Sequence, residues 1–188
     1  MDMNIDLIVL KTMEDIMKVV TTPMCEEIVR LAGIKDYAVN KFPDEEEGDL
    51  AILLSESKVK MDSMPIKINT SKQIFESIKE VSKIAENELS DSEIISFFDD
   101  YELCRKYLNS DFKRDINVKV YSEFLKDIVS DVGFNIVLDD FDYVVFPDYS
   151  KDKVIETENL VEIPSHNGIS KNPFEKAELR YAILENLI

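Results

Sequence analysis

Asp49-Leu50-Ala51-Ile52-Leu53-Leu54-Ser55 is the stretch on which the fold turns. Its apolar run is compact and bounded by turn residues. It reads as a strand. Just downstream, Pro65-Ile66-Lys67-Ile68 alternates apolar and polar residues and predicts a second strand. Residues 55–64 between them read as loop, with room for an edge strand. Upstream, Pro43 to Asp49 is a solvated acidic loop, and Asp36 to Asn40 is a short strand.

Helices flank these strands. Thr22-Pro23 interrupts the chain, and proline suits a first helical position, so a helix is expected from Pro23 to about Ala32, stopped by Gly33. Before it, Thr12 as a cap and Met13, Ile16, Met17 and Val20 at helical spacing predict a helix over 12–20. Ile5 to Leu10 reads as a buried strand. After the strands, Thr70-Ser71-Lys72-Gln73 matches a capping box, followed by Ile74, Ile78, Val81 and Ala85 on one face. Ser90-Asp91-Ser92-Glu93 opens a further helix to about Leu108. Val118 to Val132 predicts a helix ended by Gly133, with a short strand before Tyr121 as an option. Phe134–Leu138 and Tyr143–Phe146 are strand-like, and Val154–Ile163 is ambiguous. Asn172-Pro173-Phe174-Glu175 starts a last helix that runs to Leu187. Strands alternating with helices imply a layered α/β fold, a mostly parallel sheet flanked by helices. The helix-rich stretch 70–132 belongs either to that layer or to a cap over it. No internal repeat or linker is visible, so residues 1–188 are expected to form one α/β domain.

Charge narrows the function. The 188 residues carry 39 acidic and 22 basic side chains, a formal net charge of −17. Such a surface repels phosphate backbones and anionic lipid, which argues against nucleic-acid and membrane partners. The acidic start Met1-Asp2-Met3-Asn4-Ile5-Asp6 lacks the basic residues of a signal peptide, and Cys25 and Cys104 are too few for a disulfide framework. A cytoplasmic location is the expectation. With Trp absent, Ile frequent and Lys, Glu and Asp dominating the polar set, the composition resembles that of small conserved proteins of methanogenic archaea. That resemblance implies neither an activity nor any residue role.

Ligands of parallel sheets collect outside the carboxyl ends of strands, beside helix N-termini. Four segments are candidates on that ground. Thr21, Thr22 and Cys25 surround one helix start. Cys25, at about the third position, is a nucleophile if the helix dipole favours its thiolate, or else a buried small hydrophobe. Lys58, Lys60, Thr70, Ser71 and Lys72 form a locally positive, hydroxyl-rich stretch suited to phosphate or carboxylate. The alternative is an ordinary capping box with scattered surface lysines, and the glycines of a Walker loop are missing. Asp139, Asp140 and Asp142 follow a strand and would suit Mg²⁺, or form a solvated acidic turn. His166, the single histidine, is a general acid or base, or part of the turn marked by Asn167-Gly168. If Cys25 and His166 met, they would form a thiol–imidazole pair.

Two functions remain open. The first is binding of an anionic metabolite or nucleotide-like ligand on the rim of the sheet, with or without chemistry from Cys25 or His166. It presumes that the entrances near residues 22 and 70 share one rim. The second is a non-enzymatic accessory or assembly factor, or a homo-oligomer, using its acidic surface on a protein partner. No cofactor is indicated.

Overall fold

The computed structural model describes residues 17–165 and 168–188. The expected strand Ile5–Leu10, residues 12–16 of the first expected helix, and His166 lie outside the described residues.

The architecture is layered α/β, with two four-stranded sheets, all parallel, and helices packed on them. The first sheet contains β1 (Val19–Thr21), β2 (Tyr37–Val39), β3 (Leu50–Leu54) and β4 (Ser63–Ile66), in the order β2-β1-β3-β4. The second contains β5 (Asn117–Val120), β6 (Asn135–Ile136), β7 (Tyr143–Pro147) and β8 (Leu160–Ile163), in the order β6-β5-β7-β8. β3 is buried through its centre, as a doubly covered strand requires. Pro65 sits in β4, at the sheet edge, where its missing N–H breaks no ladder.

The expected helix 12–20 is overturned at its end: Val19 and Val20 belong to β1, which is wholly buried. Three consecutive β-branched residues pack better on a pleated central strand than on a helix face.

Six helices accompany the sheets among the described residues: α1 (Glu26–Leu31), α2 (Ser71–Ser82), α3 (Asp91–Ser96), α4 (Glu102–Leu108), α5 (Glu123–Val132) and α6 (Pro173–Glu185). Thr70 caps α2, its hydroxyl accepting from the Gln73 amide at 3.2 Å, and buries Ile74, Ile78 and Val81 beneath it. Each such side chain contributes about 1.5–3 kcal/mol of burial. Ser90 and Glu93 form a complete capping box on α3. The single helix expected from Ser90 to Leu108 breaks at Phe97–Tyr101 instead. Phe98 packs edge-on against Phe174 with ring centroids 4.8 Å apart, and the Glu178 carboxylate of α6 accepts the amides of Leu103 and Cys104 at 2.9 and 2.8 Å. A side chain distant in sequence thus supplies the cap for α4.

The two sheets follow one plan that the sequence does not disclose. Val19 pairs with Tyr37 and Leu50, and Val118 pairs with Ile136 and Tyr143. α1 and α5 bury Ile28-Val29 and Ile128-Val129, then end at Gly33 and Gly133 with φ of 89° and 92°. The next amide reaches back each time, from Ile34 to the Val29 carbonyl and from Phe134 to the Val129 carbonyl. An aspartate then clamps the start of each inner strand. The Asp49 carboxylate accepts the Lys18 amide, and the Asp142 carboxylate accepts the Asn117 amide, both at 2.8 Å.

The stretch 70–132 is not a cap. Its helices α2 and α4 pack against each other and against α6, and its end supplies β5 and α5 of the second sheet unit. The buried apolar residues form one continuous cluster from Val19 to Leu184. No helix among the described residues is long and apolar enough to cross a membrane.

Candidate functional site

Parallel strands point their carboxyl ends one way, so each sheet has one rim where helix starts and strand exits gather. The rims of the two sheets meet at a cleft of about 140 Å³. The first unit contributes Met24 beyond β1, Leu54 and Glu56 at the exit of β3, and Ile68 and Asn69 beyond β4. The second contributes Phe124 in the first turn of α5, Tyr149 beyond β7, and Lys176 and Arg180 of α6. Of the two entrances near residues 22 and 70, only Met24 and Asn69 line this cleft, while Thr70 and Lys72 line another groove beside Asp111 and Asp131.

Two buried cations dominate this cleft. Arg180 is 5% exposed, its Nε and Nη2 donating to the carbonyls of Pro164 and Ser165 at 3.1 and 3.0 Å. Its guanidinium lies 5.0 Å from the Phe124 ring centre. Burial pulls its pKa down to about 10, against the attraction of Asp148, so it stays charged at neutral pH. Lys176, one turn earlier, is 6% exposed. Among the described residues its ammonium has neither an ion pair nor a hydrogen bond, and it still reaches the open cleft. Burial lowers its pKa, and the charges of Arg180 and Lys171 lower it further, while Cys25 opposes them.

Most sequence-predicted site residues do other work. Thr21 is fully buried and its hydroxyl donates to the Ile52 carbonyl at 2.8 Å, so it ties β1 to β3. Thr22 holds the turn, its carbonyl accepting the amides of Cys25 and Glu26. α1 starts at Glu26, which makes Cys25 its N-cap rather than a third-position residue. Cys25 is fully buried beside this cleft, and burial pushes its thiol pKa up to about 11. That environment corrects the thiolate reading: the group is a neutral thiol at physiological pH. His166 lies outside the described residues, so no pairing with Cys25 is assigned.

The lysine stretch divides. Lys58 is exposed in the loop after β3. The Lys60 amide donates to the Asp44 carboxylate, and its surroundings include Lys18, Glu46 and Asp49 at the amino ends of the strands, away from the rim. Lys72 is already neutralised, its Nζ lying 2.7 Å from Asp111 and 3.3 Å from Asp131. Thr70 serves as the α2 cap, and Ser71 is buried with its amide donating to the Tyr181 hydroxyl. None of these presents a free cation or hydroxyl to the cleft.

The aspartates also fail as a metal centre. Asp142 clamps the Asn117 amide, the Asp140 carbonyl accepts from the Asn117 side chain, and Asp139 is exposed. They sit at the amino end of β7, opposite the rim. Among the described residues no group of three or more His, Cys, Asp or Glu is arranged to hold a metal ion.

Lys176 and Arg180 escaped sequence reasoning because they border the apolar face of Phe174, Ala177, Tyr181 and Leu184. Basic residues at such borders ordinarily extend to solvent. Their i, i+4 spacing beside a helix start was the available signal. The chain matches no protein-family model and no curated protein.

Proposed function

We propose that the protein binds a small anionic ligand in the cleft between the two sheet rims, with Lys176 and Arg180 as the recognising cations. The observation that carries this reading is the burial of Lys176 without a counter-ion beside a second buried cation. The buried stem fixes the ammonium at the open cleft, where it keeps contact with solvent and stands accessible to a negative group. A chain with net charge −17 has carboxylates in surplus, yet none pairs with Lys176 among the described residues. A bound anion supplies the missing charge. Asn69 and Glu56 also line the cleft, the Asn69 side-chain amide donating to Asp127 at 3.1 Å, and Met24, Leu54, Phe124 and Ile68 offer apolar walls. The ligand they fit is an organic anion with an apolar or aromatic body.

Thermal unfolding against a panel of nucleotides, phosphorylated metabolites and organic acids tests the proposal. At least one class is expected to raise the melting temperature of the native chain and not that of Lys176→Met. Equal responses from both proteins, or no response from either, contradict it.

A further inference from the structure

Lys176 differs from the lysines that line neighbouring grooves in what surrounds it. Lys67 and Lys72 each lie beside a carboxylate, Lys72 at 2.7 Å from Asp111 and Lys67 at 3.8 Å from Asp127. Lys176 has none, and it faces the cleft from a helix whose next turn carries Arg180. On one helix face, residues four apart hold their Cβ atoms about 5–6 Å from each other. Arg180 holds two carbonyls through Nε and Nη2, while its Nη1 has no hydrogen bond among the described residues. A guanidinium and an amine therefore line one small cleft. Apolar Leu54 and Met24 stand beside them.

Building on the anion-binding reading of the same cleft, we propose that Lys176 forms a reversible imine with a small 2-oxo acid whose carboxylate is gripped by Arg180. The carboxylate of such a compound is bonded directly to the reacting carbonyl carbon, so gripping the first presents the second to the amine. A lysine desolvated in a pocket beside another cation is the arrangement that makes an amine nucleophilic near neutral pH, and the lowered pKa of Lys176 agrees with it. The Nζ lone pair attacks the carbonyl carbon, a C–N bond forms, and one proton passes from nitrogen to the carbonyl oxygen. The carbinolamine then loses that oxygen as water, with a second proton supplied by solvent at the mouth and one released from nitrogen. Amine and ketone become imine and water, and nothing is oxidised or reduced. The apolar walls limit the water that reverses the step.

Borohydride trapping of the full chain tests this inference. The protein is incubated with pyruvate or phenylpyruvate, reduced, and its adducts located by peptide mass mapping. A saturable adduct on Lys176 is expected, lost in Lys176→Met and slowed about tenfold in Arg180→Lys, where a point charge replaces the guanidinium fork. Phenyllactate, which has the carboxylate but no carbonyl, is expected to compete. Adducts scattered over exposed lysines such as Lys58 and Lys60, without preference for Lys176, overturn the imine. If phenyllactate still raises the melting temperature through Lys176 while no adduct forms, the imine is wrong and the anion site stands. If phenyllactate and the wider anion panel all fail to raise it, both fall.

Discussion

Lys176 and Arg180 stand one helical turn apart on α6, 6% and 5% exposed, and face the same cleft. The two like charges oppose each other, with Arg180 partly offset by Asp148 and two carbonyls and the Lys176 ammonium left without a counter-ion at the open cleft. The arrangement is unfavourable for the empty protein and favourable for a protein holding an anion.

Replacing Lys176 therefore has opposite effects on stability and binding. Lys176→Met keeps the length of the side chain and removes the buried charge. The empty protein is expected to gain about 1–3 kcal/mol, since apolar replacements of buried ions are commonly neutral to stabilising. Urea unfolding of the two proteins without ligand measures it. A loss above about 1 kcal/mol would mean that the ammonium has a stabilising partner.

Gly33 and Gly133 end equivalent helices with φ of 89° and 92°, yet their surroundings differ. A Cβ at Gly133 would lie 2.4 Å from the Phe112 carbonyl oxygen, whereas one at Gly33 would meet only Ala85, at 3.8 Å. Gly33→Ala is expected to cost about 1 kcal/mol from left-handed strain alone. Gly133→Ala is expected to cost at least twice that, because backbone must move as well. Equal losses in chemical denaturation would refute the close approach of Phe112 to that turn.

Glu178 holds the start of α4 from α6, accepting the amides of Leu103 and Cys104. Glu178→Ala is expected to destabilise the chain by about 1–2 kcal/mol, the scale of a lost helix cap. Amide hydrogen exchange should rise first at residues 103 and 104. Unchanged protection there would mean that the cap is dispensable.

Acid sensitivity should involve Glu185, which like Glu156 is held well below the usual carboxylate range. Burial raises its pKa, but hydrogen bonds from Lys106, Tyr107 and Arg114 prevail and hold it down to about 2. Its folded pKa is below its unfolded value, so its contribution is full above about pH 4.5 and declines as pH falls toward 2. Roughly 2–3 kcal/mol is lost across that window. Glu185→Gln should flatten the stability profile there, while an unchanged slope would assign the acid transition to other carboxylates.

Legibility in the sequence followed how local each signal was. The apolar run 50–54, the Ser90 capping box and the Asn172-Pro173 helix start are local, and all three stand in the structure. β1 was misread because the helical spacing of Met13, Ile16 and Met17 ran into Val19-Val20, whose burial comes from flanking strands β2 and β3. The break at Phe97–Tyr101 depends on Phe174 and Glu178, residues far along the chain. The repeated sheet plan rests on strand register and on the aspartate clamps, with little residue identity between halves. Of the candidate cleft, the sequence pointed only to its borders, where Met24 and Asn69 stand beside the helix entrances at Thr22-Pro23 and Thr70. The cations were not, because only the packing of α6 against both units turns Lys176 and Arg180 inward.

The most direct measurement is a crystal of the full chain soaked in bromide and recorded at the bromine absorption edge. An anomalous peak within contact distance of Lys176 Nζ, on the Arg180 side of the cleft, is the expected result. A cleft without bromide, and with the Lys176 ammonium paired to a carboxylate such as Glu56, would contradict the assignment of an anion site.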